Sequence, residues 1–165
     1  MIIQATRLQQ LSFSKLMQVY IEGNREKARE EYGALGENEG LLQAEQVFYQ
    51  YLQECFFRTA NACYYILEEE GEYLCALRTE PYGDGILISA LETAPEYRRQ
   101  GYAAQLLDFV TSGCLGKVYS HVSKGNIASL KTHEKCGFII LKKSARYLDG
   151  SVNSGAYTMC YSANA

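Results

Sequence analysis

Residues 98–103, Arg-Arg-Gln-Gly-Tyr-Ala, constrain the fold most, because they join a strand pattern to a helix pattern. The preceding residues 85–91 are rich in Ile and Leu and end shortly before Pro95, which predicts a buried strand. Apolar residues then recur at i, i+3, i+4 and i+7 over residues 103–110, which predicts a helix with one apolar face. The first N–H groups of a helix lack intrahelical partners and favour a phosphate, and Gly101 keeps the approach open. Taken alone, the turn also fits an ordinary strand-to-helix connection.

A second segment, residues 126–138, has the marked ends of a helix. Asn126 is a good N-cap, and Gly137 stands where a helix C-terminus favours glycine. A strand is predicted just before it, over residues 117–123. Arg-x-x-Gly-x-Ala after a strand, followed by an Asn-initiated helix ending in Gly-Phe, resembles the two motifs of the GNAT N-acetyltransferase superfamily. It differs from the dinucleotide fingerprint, which needs a third glycine and a later acidic residue.

This resemblance implies a fold and a cosubstrate. The implied fold is α/β (α+β), one GNAT-like domain over residues 1–165, with a mostly antiparallel sheet of roughly six to seven strands flanked by about four helices. The implied cosubstrate is acetyl-CoA, with its pantetheine arm along the backbone of residues 91–93 and its pyrophosphate on the amides of residues 99–104. The residues implied in cofactor binding are Leu91, Thr93, Arg98, Arg99, Gln100, Gly101, Tyr102, Ala103, Ala104, Asn126 and Ser129.

His133 occupies the position at which the resembling family usually has a tyrosine as proton donor. Because an unperturbed imidazole has a pKa of about 6.5, His133 could protonate the departing thiolate at neutral pH or hydrogen-bond the sulfur. Helical spacing predicts that Asn126, Ser129, Leu130 and His133 share one face. The alternative is a histidine with a structural role on that face.

Acetyl transfer also needs a neutral amine, and two side chains are candidates for the general base. Glu92 is the first choice because it lies at the end of the strand that should border both thioester and amine. His121, on the next predicted strand, is the second. Either residue could instead be structural, with solvent accepting the proton.

Composition and charge indicate one compact enzyme domain in a reducing compartment. The 165 residues can bury one good core. A net charge of −3 without a basic run argues against nucleic acid as a partner. The six cysteines form no Cys-x-x-Cys pair, and no secretory leader or long apolar span stands out. We therefore expect a cytoplasmic location, no membrane contact and, with only two histidines, no metal site.

The flanking regions predict the remaining elements. A strand at residues 2–7 and two amphipathic helices precede a hairpin of residues 62–68 and 72–78, and two more strands are predicted at residues 138–142 and 156–161. Residues 23–40 carry three glycines and many charges, which indicates a mobile connection with a turn or two of helix near residues 27–32.

The leading hypothesis for function is an acetyl-CoA-dependent N-acetyltransferase acting on a primary amine of a small molecule. Tyr20, Glu22 and Tyr32, near the presumed acceptor wall, would suit a cationic amine. The alternatives are a non-catalytic acyl-CoA binder or sensor, made credible by His133, and an interaction domain without a ligand. A homodimer is possible if the helix around Val47 or the last strand exposes apolar surface.

Overall fold

A mixed β-sheet forms the centre of the fold. The computed structural model describes residues 1–163. Their strands are β1 (Ile2–Ala5), β2 (Cys63–Glu69), β3 (Glu72–Tyr82), β4 (Gly85–Thr93), β5 (Lys117–Ser123), β6 (Ile139–Lys142), β7 (Ala145–Arg146), β8 (Val152–Asn153) and β9 (Ala156–Ser162). Seven of them form one sheet in the order β1-β2-β3-β4-β5-β9-β6, in which only β4 and β5 run parallel. β7 and β8 form a separate hairpin.

Helices cover both faces of this sheet. The described residues contain α1 (Phe13–Val19), α2 (Ile21–Tyr32), α3 (Glu37–Glu54), α4 (Tyr102–Gly113) and α5 (Ile127–Lys135). On one face, α1 and α3 pack through buried side chains such as Leu16 and Leu52, with α2 lying on α3. On the other face, α4 contributes Leu106, Leu107 and Val110 to a second apolar cluster. The architecture confirms the predicted fold class, with one helix more than expected.

The segment predicted to be a mobile connection, residues 23–40, is mostly helical. Its Glu, Arg, Lys and Ala residues favour a helix enough to outweigh one early glycine. Asn24 and Ala28, four residues apart, are buried on the face of α2 that meets α3. Gly40 belongs to α3 rather than to a loop, and a Cβ there would lie 3.2 Å from the Tyr32 carbonyl oxygen. This glycine therefore permits a close helix crossing.

Of the two elements considered for exposed apolar surface, the helix around Val47, α3, exposes Leu42, Tyr49 and Tyr51, whereas the last strand, β9, does not provide such a surface. β9 is an interior strand between β5 and β6, and most of its residues are buried. The edge strand is β6, where Ile139, Ile140 and Leu141 are all exposed. The last strand is therefore shielded because the chain places β6 outside it.

A bulge in β4 and the separation of β4 from β5 shape the functional end of the sheet. Leu77 of β3 faces two β4 residues, Ala90 and Leu91, and Ala90 has a positive φ of 52°. The Tyr20 hydroxyl donates to the Ala90 carbonyl oxygen at 2.7 Å. β4 pairs with β5 only up to Ile88, so the rest of β4 has no strand on that side.

Candidate active site

A cleft of about 600 Å³ opens beside the unpaired end of β4. It is bounded by the turn after β4, the first turn of α4 and one side of α5. The lining residues are Leu91, Glu92, Thr93, Tyr97, Arg98, Arg99, Gly101, Tyr102, Ala103, Ala104, Asn126, Ala128, Ser129, Thr132 and Lys135. The structure thus brings together every candidate cofactor-binding residue except Gln100, which is exposed next to the cleft.

The turn before α4 presents backbone N–H groups to this cleft. Gly101, the N-cap, has a left-handed conformation with φ 84°, and Arg99 also has a positive φ of 62°. The helix ladder begins with the Gln105 N–H donating to the Gly101 carbonyl oxygen at 3.0 Å. The N–H groups of residues 102–104 therefore lack an intrahelical acceptor at the positive end of the helix dipole. This geometry fits a diphosphate, and a Cβ on Gly101 would meet no atom within 4 Å.

The Arg98 side chain is committed to carboxylates rather than to the turn. One of its terminal nitrogens lies 2.7 Å from Glu22 Oε2 and the other 3.0 Å from Glu92 Oε1. Its Nε donates to the Thr93 carbonyl oxygen at 3.3 Å. Arg98 therefore links the start of α2 to the end of β4. Of the two arginines implied in cofactor binding, Arg99 alone has no ion pair among residues 1–163.

Glu92 lies at the cleft edge, on the side of β4 that faces α2. Partial burial raises the pKa of its carboxyl group, and the positive charge of Arg98 opposes that rise. A carboxylate with a raised pKa is a better proton acceptor at neutral pH. Glu92 thus has a position and an environment suited to a general base.

His133 lies on the inner side of α5 and does not line the cleft. It is 1 % exposed, and its ring packs edge-on against Phe138. The ring nitrogens lie 2.8 Å from Ser120 Oγ and 2.8 Å from the Ser129 carbonyl oxygen. Burial lowers the pKa of the imidazole. In this arrangement neither nitrogen is open toward the cleft, so the geometry does not support proton delivery by His133.

The residues predicted to share one face of α5 are divided between two sides: Asn126 and Ser129 line the cleft, whereas Leu130 and His133 point into the protein. As the N-cap, Asn126 has non-helical dihedral angles, and its side chain accepts from the Ser129 N–H at 3.1 Å. The side of α5 that faces the cleft carries Ala128, Ser129, Thr132 and Lys135. The i, i+4, i+7 spacing of Ala128, Thr132 and Lys135 was the signal for this face.

His121, the second candidate base, faces away from this cleft into an aromatic group. Its ring packs edge-on against Tyr82 and Tyr147, with centroid distances of 5.6 Å and 5.3 Å. Burial lowers the pKa of the imidazole. The Tyr82 hydroxyl lies 3.5 Å from His121 Nε2 and donates to the Arg146 carbonyl oxygen at 2.5 Å. His121 thus lies under the β7–β8 hairpin, on the same side of the sheet as α3.

Comparison with known protein families identifies the chain. A family profile described as "Acetyltransferase (GNAT) family" matches residues 21–138, more than half of the sequence. The chain belongs to the GNAT family. No curated protein sequence matches this GNAT chain significantly.

Solved structures share the GNAT fold at low sequence identity. The protein PH1933 from Pyrococcus horikoshii aligns with a TM-score of 0.64, 16 % identity and 100 % coverage of both chains. The PaiA N-acetyltransferase from Thermoplasma acidophilum, solved with coenzyme A, aligns with a TM-score of 0.60 and 14 % identity. The alignment covers 98 % of this chain and 99 % of that one. The ribosomal-protein-S18-alanine N-acetyltransferase from Escherichia coli aligns with a TM-score of 0.57 and 17 % identity. The alignment covers 98 % of this chain and 94 % of that one.

Within residues 1–163, none of the helices combines the length and apolar character needed to cross a bilayer. The same residues contain no group of three or more His, Cys, Asp or Glu side chains placed to hold a metal ion.

Proposed function

We propose that this protein transfers the acetyl group of acetyl-CoA to a primary amine of a small molecule by direct attack of the amine on the thioester. The observation that carries the proposal is the continuity of the cleft. It runs from the free N–H groups of residues 102–104 to the unpaired end of β4. A diphosphate fits the first feature, and an extended amide-bearing arm fits the second.

The residues of the cleft have separate roles in this proposal. The amides of residues 102–104 bind the diphosphate, with Arg99 adding positive charge. Backbone groups of Leu91 and Thr93 pair with the pantetheine arm. Asn126 and Ser129 line the opposite wall from α5. Acetyl-CoA supplies an activated acetyl group as its thioester, and a backbone N–H of β4 stabilises the oxyanion.

Glu92 acts as the base in the proposed reaction. It accepts a proton from the ammonium form of the acceptor, directly or through water, so that the nitrogen lone pair is free to form the new C–N bond as the C–S bond breaks. Solvent protonates the departing thiolate, since His133 is turned away from the cleft. His133 instead positions α5, because its ring connects that helix to Ser120 of β5.

A non-catalytic acyl-CoA binder is the second candidate. One observation favours it: the side chain at the family's usual proton-donor position is buried outside the cleft. The two candidates share coenzyme binding and differ in turnover.

A free-thiol release assay across a panel of amines, with calorimetric titration of acetyl-CoA, tests both. We expect acetyl-CoA to bind and at least one amine to release thiol above the rate of hydrolysis, with the N-acetyl product confirmed by mass spectrometry. Binding without release for any amine would favour the non-catalytic binder. No binding at all would overturn both candidates.

A further inference from the structure

Arg78 of β3 is a charged residue beside the bulge of β4. It lies directly across from Ser89, and its neighbour by two residues, Ala76, lies across from Glu92. Alternation along the strand puts the Arg78 side chain on the same side of the sheet as Ala76, the side covered by α1 and α3. The side chains of Arg78 and Glu92 therefore lie on the same side of the sheet. Glu92 of β4 is opposite Ala76, which is two residues before Arg78 in β3.

Aromatic rings surround the Arg78 guanidinium. Its central carbon lies 4.9 Å from the ring centroid of Tyr51, 5.6 Å from that of Phe56 and 5.9 Å from that of Phe48. These distances are typical of cation–π contacts. The rings fix the direction of a planar group that in most exposed arginines is free to move.

No carboxylate pairs with this guanidinium in the described part of the chain. Its Nε is the one side-chain nitrogen or oxygen atom within residues 1–163 that is buried without a hydrogen-bond partner. The two terminal nitrogens of Arg78 also form no hydrogen bond with residues 1–163. Unlike Nε, they are not buried, so solvent reaches them. Arg98, by contrast, has two carboxylate partners within 3.0 Å. Arg78 is thus an oriented cation that lacks an anion.

The surroundings of Arg78 connect directly to the bulge. The Phe48 ring lies 5.1 Å from the Tyr20 ring, and the Tyr20 hydroxyl donates to the carbonyl oxygen of Ala90. Arg78, Phe48 and Tyr20 therefore form a continuous wall that ends at the bulged residue. In the proposed reaction this bulge adjoins the thioester.

We propose that Arg78 binds an anionic group of the acceptor, so that the substrate is an amine that also carries a carboxylate or a phosphate. This inference rests on the proposed function and specifies its substrate class. Guanidinium forms paired hydrogen bonds with both kinds of anion. A purely cationic acceptor is less suited to this side of the sheet, because Arg98 already pairs with both Glu22 and Glu92.

The test compares matched amines with and without the anion in the thiol-release assay. Suitable pairs are L-methionine with 3-(methylthio)propylamine, L-phenylalanine with 2-phenylethylamine, and phosphoethanolamine with ethanolamine. We expect a higher kcat/KM for the anionic member of at least one pair, and the pairs distinguish carboxylate from phosphate. The wild-type comparison depends on no variant and therefore holds even if a substitution impairs folding.

Arg78→Gln should lower kcat/KM for the preferred anionic amine by about tenfold or more, as expected for a lost charge-assisted hydrogen bond. Its effect on the matched uncharged partner should be within about threefold, and Arg78→Lys should retain part of the preference. Arg58→Gln is the matched control, since it makes the same change at an exposed residue of the neighbouring turn.

The thiol-release results distinguish a failure of the role proposed for Arg78 from a failure of the proposed acetyl transfer. Transfer to amines without any preference for the anionic members, or an equal loss for both members in Arg78→Gln, would overturn the role of Arg78 and leave the proposed function intact. The absence of transfer to every amine would instead overturn the proposed function. The KM for acetyl-CoA should be unchanged in Arg78→Gln.

Discussion

The Nε2 atom of His133 lies 2.8 Å from the Oγ of Ser120, which joins α5 to β5 through a buried hydrogen bond. The other ring nitrogen, Nδ1, lies 2.8 Å from the Ser129 carbonyl oxygen. A carbonyl oxygen only accepts, so Nδ1 carries the hydrogen and Nε2 accepts from the Ser120 hydroxyl. The neutral ring therefore satisfies both contacts.

The buried position of His133 predicts a stability that depends on pH. Burial lowers the pKa of the ring below its ordinary value of about 6.5, so in the range just below that value the unfolded chain binds more protons than the folded one. The contribution of the neutral His133 ring to the free energy of unfolding should therefore be fully present above this pH range. It should be lost as the pH falls through the range toward the folded-state pKa. Urea unfolding between pH 5 and 8 measures this dependence.

Substitutions separate the contribution of His133 from that of His121, whose pKa burial also lowers. His133→Gln should reduce the free energy of unfolding at pH 8 by about 1–3 kcal/mol, because it breaks buried hydrogen bonds, and should flatten the pH dependence. His121→Gln should remove only the part of the pH dependence that His121 contributes and leave the part due to His133. An unchanged pH dependence in His133→Gln would contradict this account.

Gly101 offers a direct test of the diphosphate site. Gly101→Glu places a negative charge at the N-terminus of α4 and should weaken acetyl-CoA binding by about tenfold or more. Gly101→Ala is the matched control: its methyl group meets no atom within 4 Å, although the positive φ costs about 1–2 kcal/mol of stability. Calorimetry should show near-normal binding for the folded Ala variant. Equal affinities for the two variants would argue against anion binding here.

The pairing of Arg98 with Glu92 predicts a shift in the pH–rate profile. Arg98 opposes the burial that raises the pKa of Glu92, so Arg98→Gln should raise that pKa further. The acidic limb of kcat/KM should therefore move to higher pH. Arg99→Gln is the comparison: it should raise the KM for acetyl-CoA and leave the limb in place. A profile unaffected by Arg98→Gln would exclude Glu92 as the titrating base.

Removing the Tyr20 hydroxyl should lower the free energy of unfolding, because this buried group makes two hydrogen bonds. It donates to the Ala90 carbonyl oxygen at 2.7 Å and accepts from Tyr64 at 2.8 Å, and burial raises the pKa of Tyr20. Tyr20→Phe leaves both partners unsatisfied and should cost about 1–3 kcal/mol in urea unfolding. Tyr49→Phe removes a hydroxyl from an exposed ring and should change the free energy of unfolding by less than about 0.5 kcal/mol. Similar losses in the two variants would indicate that the bulge contact is unimportant.

Local patterns in the sequence predicted the seven strands of the main sheet and the motif turn, but not the short β7–β8 hairpin. The bounds of β5 were predicted at residues 117–123, and the N-cap at Asn126 is confirmed. These features depend on neighbouring residues, which a sequence displays directly. The ion pairs of Arg98 could not be predicted, since Glu22 lies 76 positions away and meets it only in the folded chain. The orientation of His133 could not be predicted for the same reason, since the Ser120 hydroxyl that its ring contacts lies 13 positions away on β5.

In the proposed function, the separation of β4 from β5 beyond Ile88 makes the backbone N–H and C=O groups of β4 the surface that recognises the cosubstrate. Peptide N–H and C=O groups are the same in every residue, so substitutions along this stretch leave the number and spacing of its donors and acceptors unchanged. A site of this kind tolerates extensive sequence drift provided that the path of the backbone is kept. Such a site is compatible with a fold that is shared with solved structures at only 14–17 % sequence identity.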